Sequence, residues 1–574
     1  MVSSLFTLTR SAISGLPKVL AACLLAMALP SWAHKATDPS SDQKWWQHAV
    51  IYEIYIRSFQ DSNGDGIGDL KGISQRLDYL KGLGIDAIWI TPFYPSPNAD
   101  FGYDVADYTN VSKDYGTLAD WDNLVREANK RGIRILVDFV LNHSSNQHPW
   151  FQESRKSKDN PKRDWYVWRD GGPNGTPPNN WRSIFGGSTW TLDPATNQWY
   201  YHIFLAQQPD LNWRNPEVRK AMFDVARFWL ERGAAGFRLD ATATMFEDDS
   251  YPNDPNIDGG PPVHLKPYNS SLPEVNSTLK ELRNLLASYP GDRVILAESV
   301  TADLKNLVAA YGKNHDEIQL PMNFLIGDMH ELNASAFKKQ YDDANLKLGT
   351  GNTPVFFFSS HDHTRQWTGF GDGKHNDQIA KLTAALNLTQ PGTTLMYYGE
   401  EIGMGDMSAA DLAAAPLGPN RPRADDRDKV RSPMHWRPTA NAGFTTGTPW
   451  LPVQSVTEKY NLIDQRKDPQ SIFKWYLALN KLRKSDAVFT QGRYLALETN
   501  DDKVFAFARV TDKGEGAVVV LNCSADSRDV HLTGLPDKAQ FGELILQSPV
   551  HKPMSSTSLS MAPYGVVINR FKLK

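Results

Sequence analysis

The 574-residue chain reads as an α/β protein. The prediction is a (β/α)8 TIM barrel, with an inserted domain after its third strand and a C-terminal antiparallel β domain. Three observations support it. Eight apolar, β-branched runs recur along the chain, and polar loops with amphipathic stretches separate them. Beyond residue 485 the pattern changes to short alternating strands.

The apolar runs lie at 50–56, 85–91, 133–141, 236–240, 294–298, 318–323, 354–360 and 393–398. Nearly continuous apolar strands alternating with helices indicate a parallel sheet buried on both faces. The intervening stretches at 70–83, 118–131, 216–232 and 273–288 show helical periodicity. Residues 144–215, rich in Trp, Asn, Pro and Gly, are too long for a structureless loop and are assigned to the inserted domain. A helix around 470–484 precedes strands expected at 505–510, 517–522, 544–546 and 565–571. The expected boundaries are a leader at 1–33, barrel at 34–143 and 216–485, insert at 144–215 and β domain at 486–574.

A composition of 41% hydrophobic and 22% charged residues is that of a soluble globular protein. The net charge of −4, without a long Lys/Arg run, argues against nucleic acid as a partner. The 17 Trp, 21 Tyr and 25 Phe suit a large core and also the flat faces of sugar rings. At the N-terminus, Arg10 and Lys18 precede an apolar run at 19–29, and "SWA" at 31–33 fits a cleavage site. The expectation is export, to the periplasm or beyond, with no membrane span, since spanning needs about 20 apolar residues. "LAAC" ending at Cys23 resembles a lipid-attachment signal, but the apolar run continues past it, so a cleaved leader ranks higher. Cleavage after Ala33 would leave Cys523 without a disulfide partner.

Barrel enzymes carry their reacting groups at the carboxyl ends of the strands. Here the third strand ends in Asn142 and His143, the fourth in Arg238 and Asp240, the fifth in Glu298 and the seventh in His361 and Asp362. Tyr103 and Asp104 follow the second. One polar residue after a strand only marks its end, whereas three carboxylates, an Arg and two His on one rim describe a site. Three carboxylates fit glycoside hydrolysis with retention, in which nucleophile and acid/base stand about 5–5.5 Å apart. Asp240 is the better nucleophile, because Arg238 lies two residues earlier on the same strand face and would keep it ionised. Glu298 follows an apolar run, where desolvation would suit it to act as an acid. Asp362 would orient ring hydroxyls, with His143 and His361 as donors to them.

At these residues the chain resembles the α-amylase family of glycoside hydrolases (family 13), through "DFVLNH", "GFRLDA", "LAES" and "SSHD" in that order. "WWQHAVIYEIYIRSFQDSNGDGIGDLKGI", "QPDLNW" at 208–213 and "RSPMHW…NAGFTTGTPW" at 431–450 are similar to its oligo-1,6-glucosidase/α-glucosidase subgroup. The similarity runs from Trp45 to the C-terminus. It implies Asp240 as nucleophile, Glu298 as acid/base and Asp362 as transition-state stabiliser. Asp104, His143, Arg238, His361 and Arg431 would hold the glucose being cleaved, and Tyr103 would stack on its ring. Asp104 and Arg431 would close the far end of the pocket, which makes the enzyme exo-acting on oligosaccharides. The insert corresponds to the family's domain B.

The resemblance also has departures. Ser360 stands where the seventh-strand motif usually has Asn, which implies altered local hydrogen bonding. In this subgroup Val after the nucleophile accompanies α-1,6 linkages, and Thr or Ala accompanies α-1,4. Ala241 therefore favours maltose-like substrates or sucrose. The segment "HDHTRQWTGFGDG" lacks the Arg-x-Asp-Arg-Asp motif of sucrose isomerases, while transglycosylation and trehalose formation stay open. The transporter heavy chains of this fold lack a complete catalytic set, which this chain has.

"DSNGDGIGDL" at 61–70 has the oxygen spacing of a calcium loop: Asp61, Asn63, Asp65, the Ile67 carbonyl and Asp69, with Gly66 at the turn. The closing Glu of an EF-hand is replaced by Gly72, and "VIYEIYI" before it reads as a strand, not a helix. The resemblance implies a structural Ca2+ in this loop after the first strand, remote from the sugar, and no organic cofactor.

Overall fold

A computed structural model describes residues 44–255, 273–298, 303–415, 417–418, 421 and 423–574. The leader at 1–33 and Cys23 lie outside the described residues. Eight parallel strands form the central sheet: β1 (Val50–Ile54), β2 (Ala87–Ile90), β3 (Arg134–Val140), β4 (Gly236–Asp240), β5 (Val294–Ala297), β6 (Leu320–Pro321), β7 (Val355–Phe356) and β8 (Thr393–Tyr397). Their order is β7-β8-β1-β2-β3-β4-β5-β6, a nearly closed barrel.

Strands β6 and β7 are shorter than the apolar runs 318–323 and 354–360 suggest. They are the two lips of the seam, and side chains fill it where backbone pairing stops. Phe324 packs edge-on against Phe357 at 5.3 Å. A Cβ on Gly327 would lie 2.4 Å from the Phe357 ring, so only glycine fits there.

Side chains alternate along each strand, so every second residue faces the barrel axis. Ile51, Ala87, Leu136, Leu296, Leu320, Val355 and Leu395 share one apolar cluster. Two residues further along β1 to β4, toward the carboxyl ends, the corresponding positions are Glu53, Trp89, Asp138 and Arg238. The register pairs Asp138 with Arg238 and Val140 with Asp240. The barrel is thus apolar below and charged at its catalytic rim.

The stretch 70–83 is two helices, Leu70–Gln75 and Leu77–Leu83. The break falls at Arg76, whose guanidinium lies 4.0 Å from the Trp436 ring centre. The insert contains a three-stranded antiparallel sheet (Trp168–Arg169, Gln198–Tyr201, Trp190–Asp193) over its own core of Val167, Trp181, Trp190, Tyr201 and Ile203. The "QPDLNW" segment fastens it to the barrel: the Asp210 carboxylate accepts from the Asn142 amide at 3.0 Å and from Ile203 N–H at 3.0 Å.

The C-terminal part has a five-stranded antiparallel sheet, in which the expected strand 544–546 is the middle of the longer Ala539–Ser548. A second, three-stranded sheet includes Arg528–Thr533 and Ser558–Met561, which carry too few apolar residues to stand out in the sequence. Buried Arg509 joins this part to the barrel, donating to the carbonyls of Thr389, Phe489 and Gly492. Among the described residues, Cys523 is a free, buried thiol.

Candidate active site

Arg238 is the centre of the rim. Its buried guanidinium donates from Nη1 to Asp240 at 2.6 Å and from Nη2 to Glu298 at 2.5 Å. Nη1 also lies 3.3 Å from both carboxylate oxygens of Asp138. One cation therefore serves three carboxylates, which changes the expectation for Asp240. Burial pushes the Asp240 carboxyl well above the usual carboxylate range; Arg238 opposes this, and the charges of Glu298 and Asp138 add to it. The charge of Arg238 is thus divided, and it is not a private partner of Asp240.

Glu298 also differs from expectation. It does not stand in an apolar setting: its side chain is 29% exposed and accepts from Arg238 Nη2.

Asp362 stands in the opposite environment. Burial raises its proton affinity, but His361, Arg427, Arg431 and Arg238 outweigh it and hold the carboxyl far below the ordinary range. Arg431 donates to Asp362 at 2.8 Å and Arg427 at 3.1 Å. His361 accompanies it, with Nδ1 2.6 Å from Glu53 and Nε2 2.8 Å from the Tyr103 hydroxyl. The Tyr103 ring stacks on that of His361 at 5.4 Å, and its hydroxyl donates to Asp138 at 3.0 Å. Burial holds His143 down to about 3, so it is neutral. Its Nε2 donates to the Tyr103 carbonyl at 3.1 Å.

Two of the expected glucose contacts are placed differently. Asp104 is fully buried, and its carboxylate accepts from Ser96 Oγ, Ala99 N–H and Asp100 N–H, so it shapes loop 96–100 from behind. Arg431 is spent on Asp362 and on the His361 carbonyl at 2.9 Å. A second acid–guanidinium pair stands beside Asp362: Asp100 and Arg427 meet at 2.6 Å, Arg427 also donates to Asp362, and Gln208 donates to Asp100 at 3.1 Å. Phe185, 46% exposed, lies 5.6 Å from the Arg427 guanidinium, and Phe204 packs at 5.1 Å from His143, so the insert walls the mouth with aromatic faces.

Sequence reasoning missed Glu53, Asp138, Asp100, Arg427, Phe185 and Phe204. Glu53 and Asp138 had a signal: they interrupt apolar strands at the inward-facing period of two.

The loop after β1 is folded on its own amides. Asp61 accepts from the N–H groups of Asn63, Gly64 and Gly66, each at 2.8 Å. Asn63 accepts from Asp65 N–H, and Asp65 from Ile67 N–H. Asp69 caps the helix Leu70–Gln75 through Gly72 N–H at 2.7 Å, so its part in any ligation is indirect. Among the described residues, no three His, Cys, Asp or Glu side chains converge on one point as metal ligands. The donors are nevertheless all oxygens, the chemistry a hard cation prefers, and a cation would compete at Asp61 with two N–H groups on Oδ1 and with Gly66 N–H and the Thr445 hydroxyl on Oδ2. The loop docks on the segment after "RSPMHW": a Cβ on Gly66 would lie 1.9 Å from the Thr448 carbonyl. From there Trp450 reaches Tyr55, and Tyr55 stacks on His361.

The profile "Alpha amylase, catalytic domain" matches residues 53–492. The oligo-1,6-glucosidase of Heyndrickxia coagulans is 38% identical over 519 residues, covering 84% of this chain and 93% of its own. An α-glucosidase of Culex pipiens is 36% identical over 565 residues, covering 95% and 94%. The solved structure of the trehalulose synthase MutB from Pseudomonas mesoacidophila MX-45 superposes with a TM-score of 0.83 at 36% identity, covering 93% of this chain and 100% of that one. Profile, relatives and fold agree: the chain is a glycoside hydrolase of the α-amylase family (family 13), in its oligo-1,6-glucosidase/α-glucosidase subgroup.

Proposed function

We propose that the protein is a retaining, exo-acting α-glucosidase that removes terminal glucose from maltose-like oligosaccharides or sucrose, with α-1,4 linkages preferred. The observation that carries this reading is one guanidinium joining Asp240 to Glu298, beside Asp362, whose partner Arg427 also pairs with Asp100. Asp240 attacks the anomeric carbon while the proton on Glu298 passes to the leaving oxygen. Glu298 then takes a proton from water, whose oxygen displaces Asp240 and releases glucose. Asp362, held as an anion, accepts hydrogen bonds from ring hydroxyls and favours the positively charged transition state.

The linkage preference rests on Ala241, partly exposed beside the nucleophile with left-handed φ and ψ of 48° and 40°. Maltose, isomaltose, sucrose, trehalose and maltotriose, with chromatographic analysis of products, test it. Maltose or sucrose is expected to be cleaved fastest, and predominant isomaltose cleavage would overturn the preference. Ala241→Val is expected to raise the isomaltose-to-maltose ratio of kcat/KM about tenfold, the low end of what a methyl-scale change does in a pocket.

Relatives include sucrose-isomerising enzymes, so a transfer product is the second reading. Arg365, in the segment after β7, favours hydrolysis: its guanidinium is buried and donates to the carbonyls of Val430 and Tyr398, away from any acceptor sugar.

Ca2+ in the loop 61–69 is the proposed structural ion, with Asp61, Asn63, Asp65 and the Ile67 carbonyl as direct donors and Asp69 behind them. When bound it would stabilise the folded state by mass action. EDTA treatment is expected to lower Tm and Ca2+ to restore it, while the rate well below Tm changes little; an unchanged Tm would count against the ion. The leader reading makes the mature protein an exported one, which N-terminal sequencing of the secreted or periplasmic form would check.

A further inference from the structure

Ser360, the departure from the family motif, has a specific partner. Its Oγ accepts from the backbone N–H of Asp362 at 3.2 Å and lies 2.8 Å from Nδ1 of His363. Nε2 of His363 lies 3.3 Å from Asp328. Asp328 follows the short helix Phe324–Gly327 after β6, whereas His363 follows β7. The imidazole therefore bridges the rim above the seam that β6 and β7 leave open, and Phe324 packs against it at 5.5 Å. His363 is 27% exposed, so it is open to water.

We propose that His363 is a positioning residue: held between Asp328 and Ser360, it fixes the turn that carries Asp362 and presents an ionisable imidazole to the rim that carries Glu298. The inference rests on the reading of Asp362 as the transition-state stabiliser. The hydrogen bonds separate two roles. In the imidazolium form Nδ1–H donates to Ser360 Oγ and Nε2–H to Asp328. In the neutral form that keeps Nε2–H, Ser360 O–H donates to Nδ1 instead. Ser360 Oγ accepts from Asp362 N–H in both forms, so the turn survives loss of the proton while the charge does not. The charged groups facing the imidazole are Asp328 from the β6 loop, Asp362 on its own turn and Glu298 from the end of β5. Burial lowers its proton affinity, and these three acids more than reverse that.

Two variants test the two roles by the pH dependence of kcat/KM and kcat on p-nitrophenyl α-glucoside. His363→Gln keeps a donor for Asp328 and an acceptor for Ser360 O–H but removes the charge. Removing a positive charge disfavours the anionic form of an acid beside it, so the alkaline limb of kcat/KM is expected to move upward. Ser360→Ala keeps the charge and removes the acceptor for Asp362 N–H. Its kcat is expected to fall about two- to tenfold, the worth of one hydrogen bond, with KM little changed and the limb unmoved. Tm is measured for both, so that misfolding is seen. Asp362→Asn is the control. If it is inactive while both variants superimpose on wild type in profile and kcat, this proposal alone is overturned; if Asp362→Asn keeps full activity, the reading of Asp362 is what fails, and the proposal falls with it.

Discussion

Asp240→Asn is expected to lower kcat by at least about 10^4-fold on every substrate the wild type cleaves, the scale on which removal of a catalytic nucleophile acts. The amide is nearly the same size as the carboxylate and can still accept from Arg238, so the fold should persist. What it lacks is the electron pair that bonds to the anomeric carbon. Asp240→Ala gives the complementary result: a small anion such as azide can enter the vacated space and attack from the same face, restoring turnover and yielding the β-glucosyl product. Chromatography and the product's anomeric configuration check both. Full activity in Asp240→Asn would displace the nucleophile assignment and, with it, the double-displacement mechanism.

Replacing the shared cation is expected to cost stability as well as activity. Arg238→Leu leaves Asp138, Asp240 and Glu298 without their common partner. Removing one member of a buried charged network costs about 3–5 kcal/mol, because the remaining charges stay desolvated. The pH dependence follows from linkage. Asp138 is already pushed up to about 6 by burial against the pull of Arg238, and Asp240 is also raised. Loss of the cation raises their folded-state proton affinity further. The folded variant then binds more protons than the unfolded chain from the ordinary carboxylate range upward, so its stability falls as pH rises through that window. Urea denaturation should show a smaller deficit at pH 5 than at pH 7.5. Equal deficits at the two pH values would mean that Arg238 acts through packing, not charge.

The most legible elements were those whose meaning is local. "GFRLD" is apolar up to a charged end, and it forms β4 with those same bounds. Asp240, Glu298 and Asp362 were readable because a polar residue after a barrel strand is placed on the rim by the strand itself. The assignment of Asp104 and Arg431 to the pocket end failed for the same locality. Each lies four residues after a member of the Asp100–Arg427 pair, and the path of the loop decides which carboxylate and guanidinium meet. Asp100 and Arg427 are 327 residues apart, and no local pattern announces their 2.6 Å contact. The sharing of Arg238 was equally hidden, since only the fold sets Asp138 and Glu298 on the same guanidinium as Asp240.

The sequence by itself determined the barrel, the insert, the C-terminal β domain, the family and which carboxylates belong to the rim. Those follow from apolar periodicity and short motifs, properties that neighbouring residues carry together. Tertiary structure alone decided how Asp100 meets Arg427, how one cation is divided among three acids, and how Ser360, His363 and Asp328 meet across the β6–β7 seam. These depend on distances between segments remote in the chain, and electrostatic energies change too steeply with distance and burial to be read from order alone.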